Sequence, residues 1–207
     1  MSRPHALTMH YHEQLDFQAS VMSFDFEQDA YKALRRVVAE RTSSLVAWVG
    51  AGLSAPAGLP SWAGLIEHLV NVARRKISTM SSAAREQGLL NALIQHAHDK
   101  DYWVAFQLAE DLLGQISYES EIRNKLDVSS PPPPSYLALW RTGIQGMISL
   151  NLDHFAQQSY SSFRPGTTVS NFVGAQAKNM GGVLQRSSLF IGNPHGIIDD
   201  VSTWIFT

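Results

Sequence analysis

Ser44-Leu45-Val46-Ala47-Trp48-Val49 runs straight into Gly50-Ala51-Gly52-Leu53-Ser54, and this junction decides how the chain is read. The first six residues are an apolar, partly β-branched run of strand length, and the glycines punctuate it. Two glycines let a backbone approach a pyrophosphate closely. A following helix offers unpaired N–H groups and the positive end of its dipole to the negative charge. A phosphate-binding turn is therefore one reading. A tight turn without a ligand is the other, because short glycine motifs match both.

Downstream, Ala57-Gly58-Leu59-Pro60-Ser61-Trp62 leads into a helix over about 62–76, with Ser61 as N-cap and Leu65, Ile66, Leu69, Val70 and Ala73 as its apolar face. Arg74, Arg75 and Lys76 stand at its C-terminal end, where the dipole favours cations. Upstream, Ala30, Leu34, Val37 and Val38 recur at helical spacing and predict a helix within 25–40. Residues 1–24 show no sustained period and read as an arm or an added helix.

Residues 82–126 read as two or three helices without strand signals, an inserted helical module of about 80–130. Leu89, Leu90, Leu93, Ile94 and Ala97 line one face, and Trp103, Phe106, Leu108, Ala109, Leu112 and Leu113 another. Tyr102, Trp103 and Phe106 are expected in the core rather than as a binding platform. Pro131 to Pro134 cannot continue a helix, although Pro134 suits the first turn of the next one. A short helix around Tyr136 to Trp140 follows, then a strand at 146–150 and a helix starting near Asp153. Thr167 to Ser170 and Ser187 to Ile191 are weak strands. Strands alternating with helices make an α/β fold with a parallel sheet, in which ligands gather at the carboxyl ends of strands. Gly50, Asn151 and His195 are expected to meet there.

Three segments occur in order: Gly50-Ala51-Gly52-Leu53-Ser54, Ile148-Ser149-Leu150-Asn151-Leu152-Asp153 and Asn193-Pro194-His195-Gly196. Together they resemble the sirtuin-like family, over roughly residues 30–207. The resemblance implies a Rossmann-like parallel sheet with an inserted helical module, in one NAD-binding domain over 25–207. It implies NAD as substrate, held by Gly50, Ala51, Gly52 and Ser54, with Asn151 and His195 catalytic. Asp153 would contact nicotinamide, and Ser149 stands where the family has threonine. Leu59-Pro60-Ser61-Trp62 resembles the sirtuin-like domains of prokaryotic antiviral defence, which adds Pro60 and Trp62 to the expected NAD contacts. Ala63 stands where the deacylating branch carries an arginine. The family continues past its His-Gly segment with more strands, so the resemblance implies that the C-terminal part of the sheet is missing. A strand at 203–207 would then be an apolar, uncovered edge.

Composition limits the alternatives. With 207 residues, 44% hydrophobic, the chain is long enough for one α/β domain with a sizeable core. Sixteen basic against eighteen acidic side chains provide no positive field to draw nucleic acid or an anionic membrane. No apolar stretch reaches about 18 residues, and Met1 to Ala6 lacks the apolar core of a signal peptide, so the cytoplasm is the expected location. There is no cysteine, so the zinc ribbon of deacylating sirtuins, built on two Cys-x-x-Cys pairs, cannot form. His5, His10 and His12 cluster in a polar N-terminus and are not expected to bind metal; His68 and His154 read as structural.

The chemistry these residues permit is cleavage of the bond between nicotinamide and ribose. The transition state resembles an oxocarbenium ion, so the protein positions, shields and supplies a nucleophile. The Asn151 amide both donates and accepts, which suits orienting a water or a ribose hydroxyl. His195 can take a proton from either, since histidine exchanges protons near neutral pH. Each has a plainer reading: Asn151 as the turn ending a strand, Asp153 as a helix N-cap, His195 as a satisfied histidine before a glycine turn. Without the ribbon that walls an acyl-lysine groove, water is the expected acceptor. The expected activity is NAD glycohydrolase, depleting NAD in anti-phage defence. An NAD- or ADP-ribose-sensing module, an ADP-ribosyltransferase and a deacylase remain as alternatives. The resemblance also implies a homo-oligomer or a defence-system partner protein.

Overall fold

The structure, a computed structural model, describes residues 25–40, 44–80, 84–185 and 188–205. The expected arm over 1–24, with His5, His10 and His12, lies outside the described residues. The chain divides into two compact units, 1–36 and 37–207. In the first, Phe26 packs edge-on against Tyr31 at 5.4 Å and Lys32 pairs with Glu27 at 2.8 Å. These residues lead into α1 (Asp29–Glu40), the expected helix, none of whose side chains is buried.

The second unit continues through β1 (Val46–Val49), α2 (Ala51–Ser54), α3 (Trp62–Ser78), α4 (Ala84–His98), α5 (Tyr102–Leu113) and α6 (Gln115–Leu126). Then come α7 (Pro134–Arg141), β2 (Gly146–Ser149), α8 (Phe155–Phe163), β3 (Ser170–Val173), α9 (Met180–Gln185) and β4 (Phe190–Asn193). The four strands form one parallel sheet in the order β1-β2-β4-β3, the α/β class that the strand and helix alternation predicts, with the Rossmann-like character that the resemblance implies. Every residue of the central β2 and β4 is buried, as parallel strands covered on both faces require. Val49, Met147 and Ile191 meet Tyr136 and Trp140 of α7 and Phe155, Ala156 and Tyr160 of α8 in one core.

A second core joins the helices that the insertion contributes to α3. Leu65, Ile66, Leu69 and Ala73 pack with Leu90, Leu93, Ala105, Phe106, Ala109 and Ile122. Full burial of each such Leu, Ile or Phe stabilises by about 1.5–3 kcal/mol. Ser61 Oγ accepts from Gly64 N at 3.2 Å and so caps α3, as its sequence position predicts. Lys76 Nζ donates to the carbonyls of Leu112 and Leu113 at 2.8 and 3.0 Å, at the negative end of the α5 dipole. His68 Nε2 lies 2.8 Å from Glu121 Oε2, tying α3 to α6 in the structural role expected of it.

Several boundaries differ from expectation. β3 begins at Ser170, where the sequence suggests a strand ending, because Thr167 still belongs to a turn. Its N–H and Oγ1 both bond Arg164 O, after Gly166 at φ 76°. β4 begins at Phe190, whose ring fills the space over Gly146 where any side chain would clash. Ser187, the expected start of that strand, lies outside the described residues. The expected strand at 203–207 is absent from its described part. Val201–Thr203 is one turn of 3-10 helix, and Trp204 Nε1 and Ile205 N donate to Ile197 O and His195 O at 2.7 and 3.1 Å. The segment folds back on the His195 turn instead of extending the sheet; Phe206 and Thr207 lie outside the described residues.

Candidate active site

The register Val49↔Ser149 and Ile148↔Gly192 brings the carboxyl ends of β1, β2 and β4 side by side. Leu150 N donates to Val49 O at 2.9 Å, and Ile198 N to Leu152 O at 2.8 Å, so the three strand-end loops are bonded to one another. After β1 the helix begins at once: Gly50 is the N-cap of the single turn α2, followed by a 3-10 turn at Ala55–Ala57. Gly50 has φ −133°, which any residue adopts, and a Cβ at either Gly50 or Gly52 would meet nothing within 4 Å. Neither conformation nor packing among the described residues accounts for these glycines. They leave open space above the strand end.

Ser54, Tyr136, Asn151 and Asp153 form one buried network, and all four are at most 7% exposed. Ser54 Oγ donates to Asp153 Oδ2 at 2.6 Å. Its only hydrogen is thereby spent, so in its 2.8 Å contact with Tyr136 the phenol donates. Asn151 Nδ2 donates to Ser54 Oγ at 2.9 Å and to Tyr136 OH at 3.2 Å. Both amide hydrogens are used, and no described residue donates to Asn151 Oδ1. An acceptor-only carboxylate at one end thus fixes which way the Asn151 amide faces.

Burial raises the pKa of Asp153, against the hydrogen bonds from Ser54 Oγ and Phe155 N and the nearby His154. Burial, with the Asp153 charge behind it, also raises that of Tyr136 and keeps the phenol protonated. Asp153 Oδ1 accepts from Phe155 N, the first residue of α8, at 3.0 Å, although the N-cap of that helix is His154 and not Asp153, the plainer expectation for that carboxylate. Ser149, fully buried, accepts from Asn151 N at 3.3 Å. His154 Nε2 lies 2.9 Å from Asp199 Oδ2, an ion-pair distance outside hydrogen-bond geometry.

His195 stands in the turn after β4. Gly196, at φ 95°, has to be glycine, because a side chain there would run into the Thr203 backbone. Nδ1 of His195 donates to Ile205 O at 2.8 Å, since a carbonyl only accepts. In the neutral imidazole Nε2 is then the free acceptor, the atom able to take a proton. Trp103 stacks on the ring at 5.7 Å and 25°, and Trp62 meets it edge-on at 5.9 Å and 64°.

Two cavities share the Trp62 side chain as a wall. The first, of about 30 Å³, touches Ala51, Pro60, Trp62 and Asn151 and has room for a water or a hydroxyl. The second, of about 270 Å³, is lined by Trp62, Lys100, Tyr102, Trp103, Phe106, Leu150 and His195. Of the residues expected at the site, Ala51, Ser54, Pro60, Trp62, Asn151 and His195 line these cavities or bond to residues that do, and Gly50 and Gly52 flank them in sequence. Ser149 and Asp153 line neither cavity: Ser149 Oγ accepts from Asn151 N, and Asp153, expected to contact the nicotinamide, reaches Asn151 only through Ser54. Sequence reasoning missed Tyr136, whose single OH carried no signal, and assigned Trp103 to the core. Trp103, in the first turn of α5, is 47% exposed and stacks on His195, whereas the neighbouring Tyr102 packs against the helical core.

Among the described residues no group of three or more His, Cys, Asp and Glu could hold a metal ion, and no helix is long and apolar enough to cross a membrane. Compared with models of known protein families and with curated proteins, the chain matches none.

Proposed function

We propose that the protein hydrolyses NAD at the bond between nicotinamide and ribose. The observation that carries this reading is the anchored Asn151 amide. Ser54 and Tyr136 hold its nitrogen, and its oxygen is left to accept from a water or ribose hydroxyl in the adjoining cavity. The open backbone at Gly50 and Gly52 would admit the pyrophosphate. The C1′–N bond breaks with its electron pair going to the ring nitrogen, which turns a cationic pyridinium into neutral nicotinamide. The water oxygen forms the new bond to C1′, directed by Asn151 Oδ1, and its proton passes to His195 Nε2, directly or through a ribose hydroxyl. Trp62 and Trp103 screen the imidazole from bulk water. Hydrolysis without transfer depletes NAD, the outcome that the resemblance to antiviral-defence domains implies.

The test is NAD consumption by the purified protein, with nicotinamide and ADP-ribose quantified, for wild type, Asn151→Ala and His195→Ala. Free ADP-ribose from wild type and a loss of at least about 100-fold in both folded variants is expected. ADP-ribose recovered on a macromolecule would make the protein a transferase, and dinucleotide binding without turnover would make it a sensor.

A further inference from the structure

The 270 Å³ cavity beside His195 carries, besides the two tryptophans, residues that the hydrolysis of NAD leaves unused: Lys100, Tyr102 and Phe106. Trp62, Tyr102, Trp103 and Phe106 give it flat apolar walls of the kind that hold a planar ring. Lys100 lies at its margin with φ 61°, the one non-glycine among the described residues in left-handed backbone. That position closes α4 in a Schellman arrangement, with Asp101 N bonded to His96 O at 2.9 Å and Lys100 N to Ala97 O at 3.3 Å. Glycine is the favoured residue there, and a lysine costs conformational energy that the fold does not require.

The Lys100 ammonium has no hydrogen bond or ion pair among the described residues. The neighbouring carboxylates are both engaged away from the cavity: Asp99 with Gln95 at 2.8 Å and His98 at 3.1 Å, Asp101 with His96 at 3.1 Å. Neither lines the cavity. Asp101, although N-cap of the twelve-residue α5, makes no side-chain capping bond, and the first two residues of that helix form part of the wall. Lys100, an exposed residue of the cavity lining, and the positive end of a helix dipole therefore border a slot lined by aromatic residues.

From this geometry we infer that the cavity binds a planar ring bearing a carboxylate, with Lys100 as the residue that selects the anion. The consequence for substrate, which rests on the hydrolysis reading, is a dinucleotide whose leaving ring is nicotinate in preference to nicotinamide. A carboxylate facing Lys100 would anchor the ring at its far side and leave the ring nitrogen toward the ribose.

Isothermal titration of the purified chain with nicotinate, nicotinamide and inorganic phosphate tests the inference without needing turnover. Nicotinate is expected to bind at least about tenfold tighter than nicotinamide. Lys100→Met should bring the two rings together in affinity, Lys100→Arg should keep the preference, and Trp103→Leu should weaken both. Equal affinities in wild type, an undiminished preference in Lys100→Met, no binding of either ring, or phosphate binding as tightly as nicotinate would overturn it. The two readings fail separately. Turnover of NAD by a protein that binds both rings alike removes only this inference; a protein that holds nicotinate through Lys100 but is inert toward both NAD and the dinucleotide carrying nicotinate removes only the hydrolase.

Discussion

Ser54 Oγ lies 2.6 Å from Asp153 Oδ2, across 99 residues of sequence, and this one hydrogen bond orients the site. Because it consumes the serine's hydrogen, Ser54 can only accept from Asn151, and the asparagine's oxygen is left without a donor among the described residues.

Ser54→Ala therefore leaves a buried carboxylate short of a donor and an amide short of an acceptor. A loss of about 1–3 kcal/mol in urea unfolding is expected, with a larger fall in kcat than in the affinity for NAD. An unchanged midpoint and unchanged kcat would show that the network does not orient Asn151.

Tyr136→Phe keeps the fully buried ring and removes the hydroxyl that accepts from Asn151. A cost of about 1 kcal/mol is expected, with kcat reduced and KM nearly constant. A rise in KM alone would place the phenol in ground-state binding.

The titration of Asp153 has a definite sign. Its native pKa is raised above 3.8 by burial, so the folded protein holds the proton more tightly than the unfolded chain. Stability contributed by this group is greatest below the unfolded value and falls as pH rises through the native one. Asp153→Asn abolishes that titration. Urea unfolding from about pH 3.5 to 7 should show the variant gaining on wild type as pH rises. A difference independent of pH would mean that the carboxyl titrates alike in both states.

Gly50→Ala and Gly52→Ala add a methyl where nothing lies within 4 Å. Thermal stability should hold, and for Gly52, inside α2, should rise by up to about 1 kcal/mol. Dinucleotide affinity should drop by about tenfold or more, because the methyl would occupy the space proposed for the pyrophosphate. Retained affinity in both variants would identify the loop as a plain turn.

Lys100→Gly separates stability from recognition. Relief of left-handed backbone at φ 61° should stabilise the protein by about 1 kcal/mol, partly offset by the freer unfolded chain. Preference for nicotinate over nicotinamide should vanish in the same variant. A destabilised variant would show that the side chain, not a ligand, is why lysine stands there.

Interactions within a few residues were legible without a structure. The Ser61 cap, the apolar face of α3, the start of α7 at Pro134 and the strand before Gly50 all follow from periodicity and capping, which act over four residues or fewer. The gathering of Gly50, Asn151 and His195 at one sheet edge was legible too, because parallel strands joined by helices present their carboxyl ends together. The starts of β3 and β4 and the course of Trp204 were not, since a left-handed turn at Gly166, the ring of Phe190 and a carbonyl at Ile197 decide them. Sequence by itself determined the succession of α1, β1, α3, the helical module, α7 and β2 and the residue types brought to the strand ends, but it placed a strand at 203–207 where Val201–Thr203 form a 3-10 turn. Only the tertiary structure decided that Tyr136 joins Ser54 from 82 residues away, that Asp153 orients Asn151 through Ser54, and that Trp103 and Lys100 border the His195 cavity. Those contacts come from the packing of α5 against its neighbouring helices and of α7 against the sheet, and no local pattern records which distant side chain a buried hydroxyl or an indole will meet.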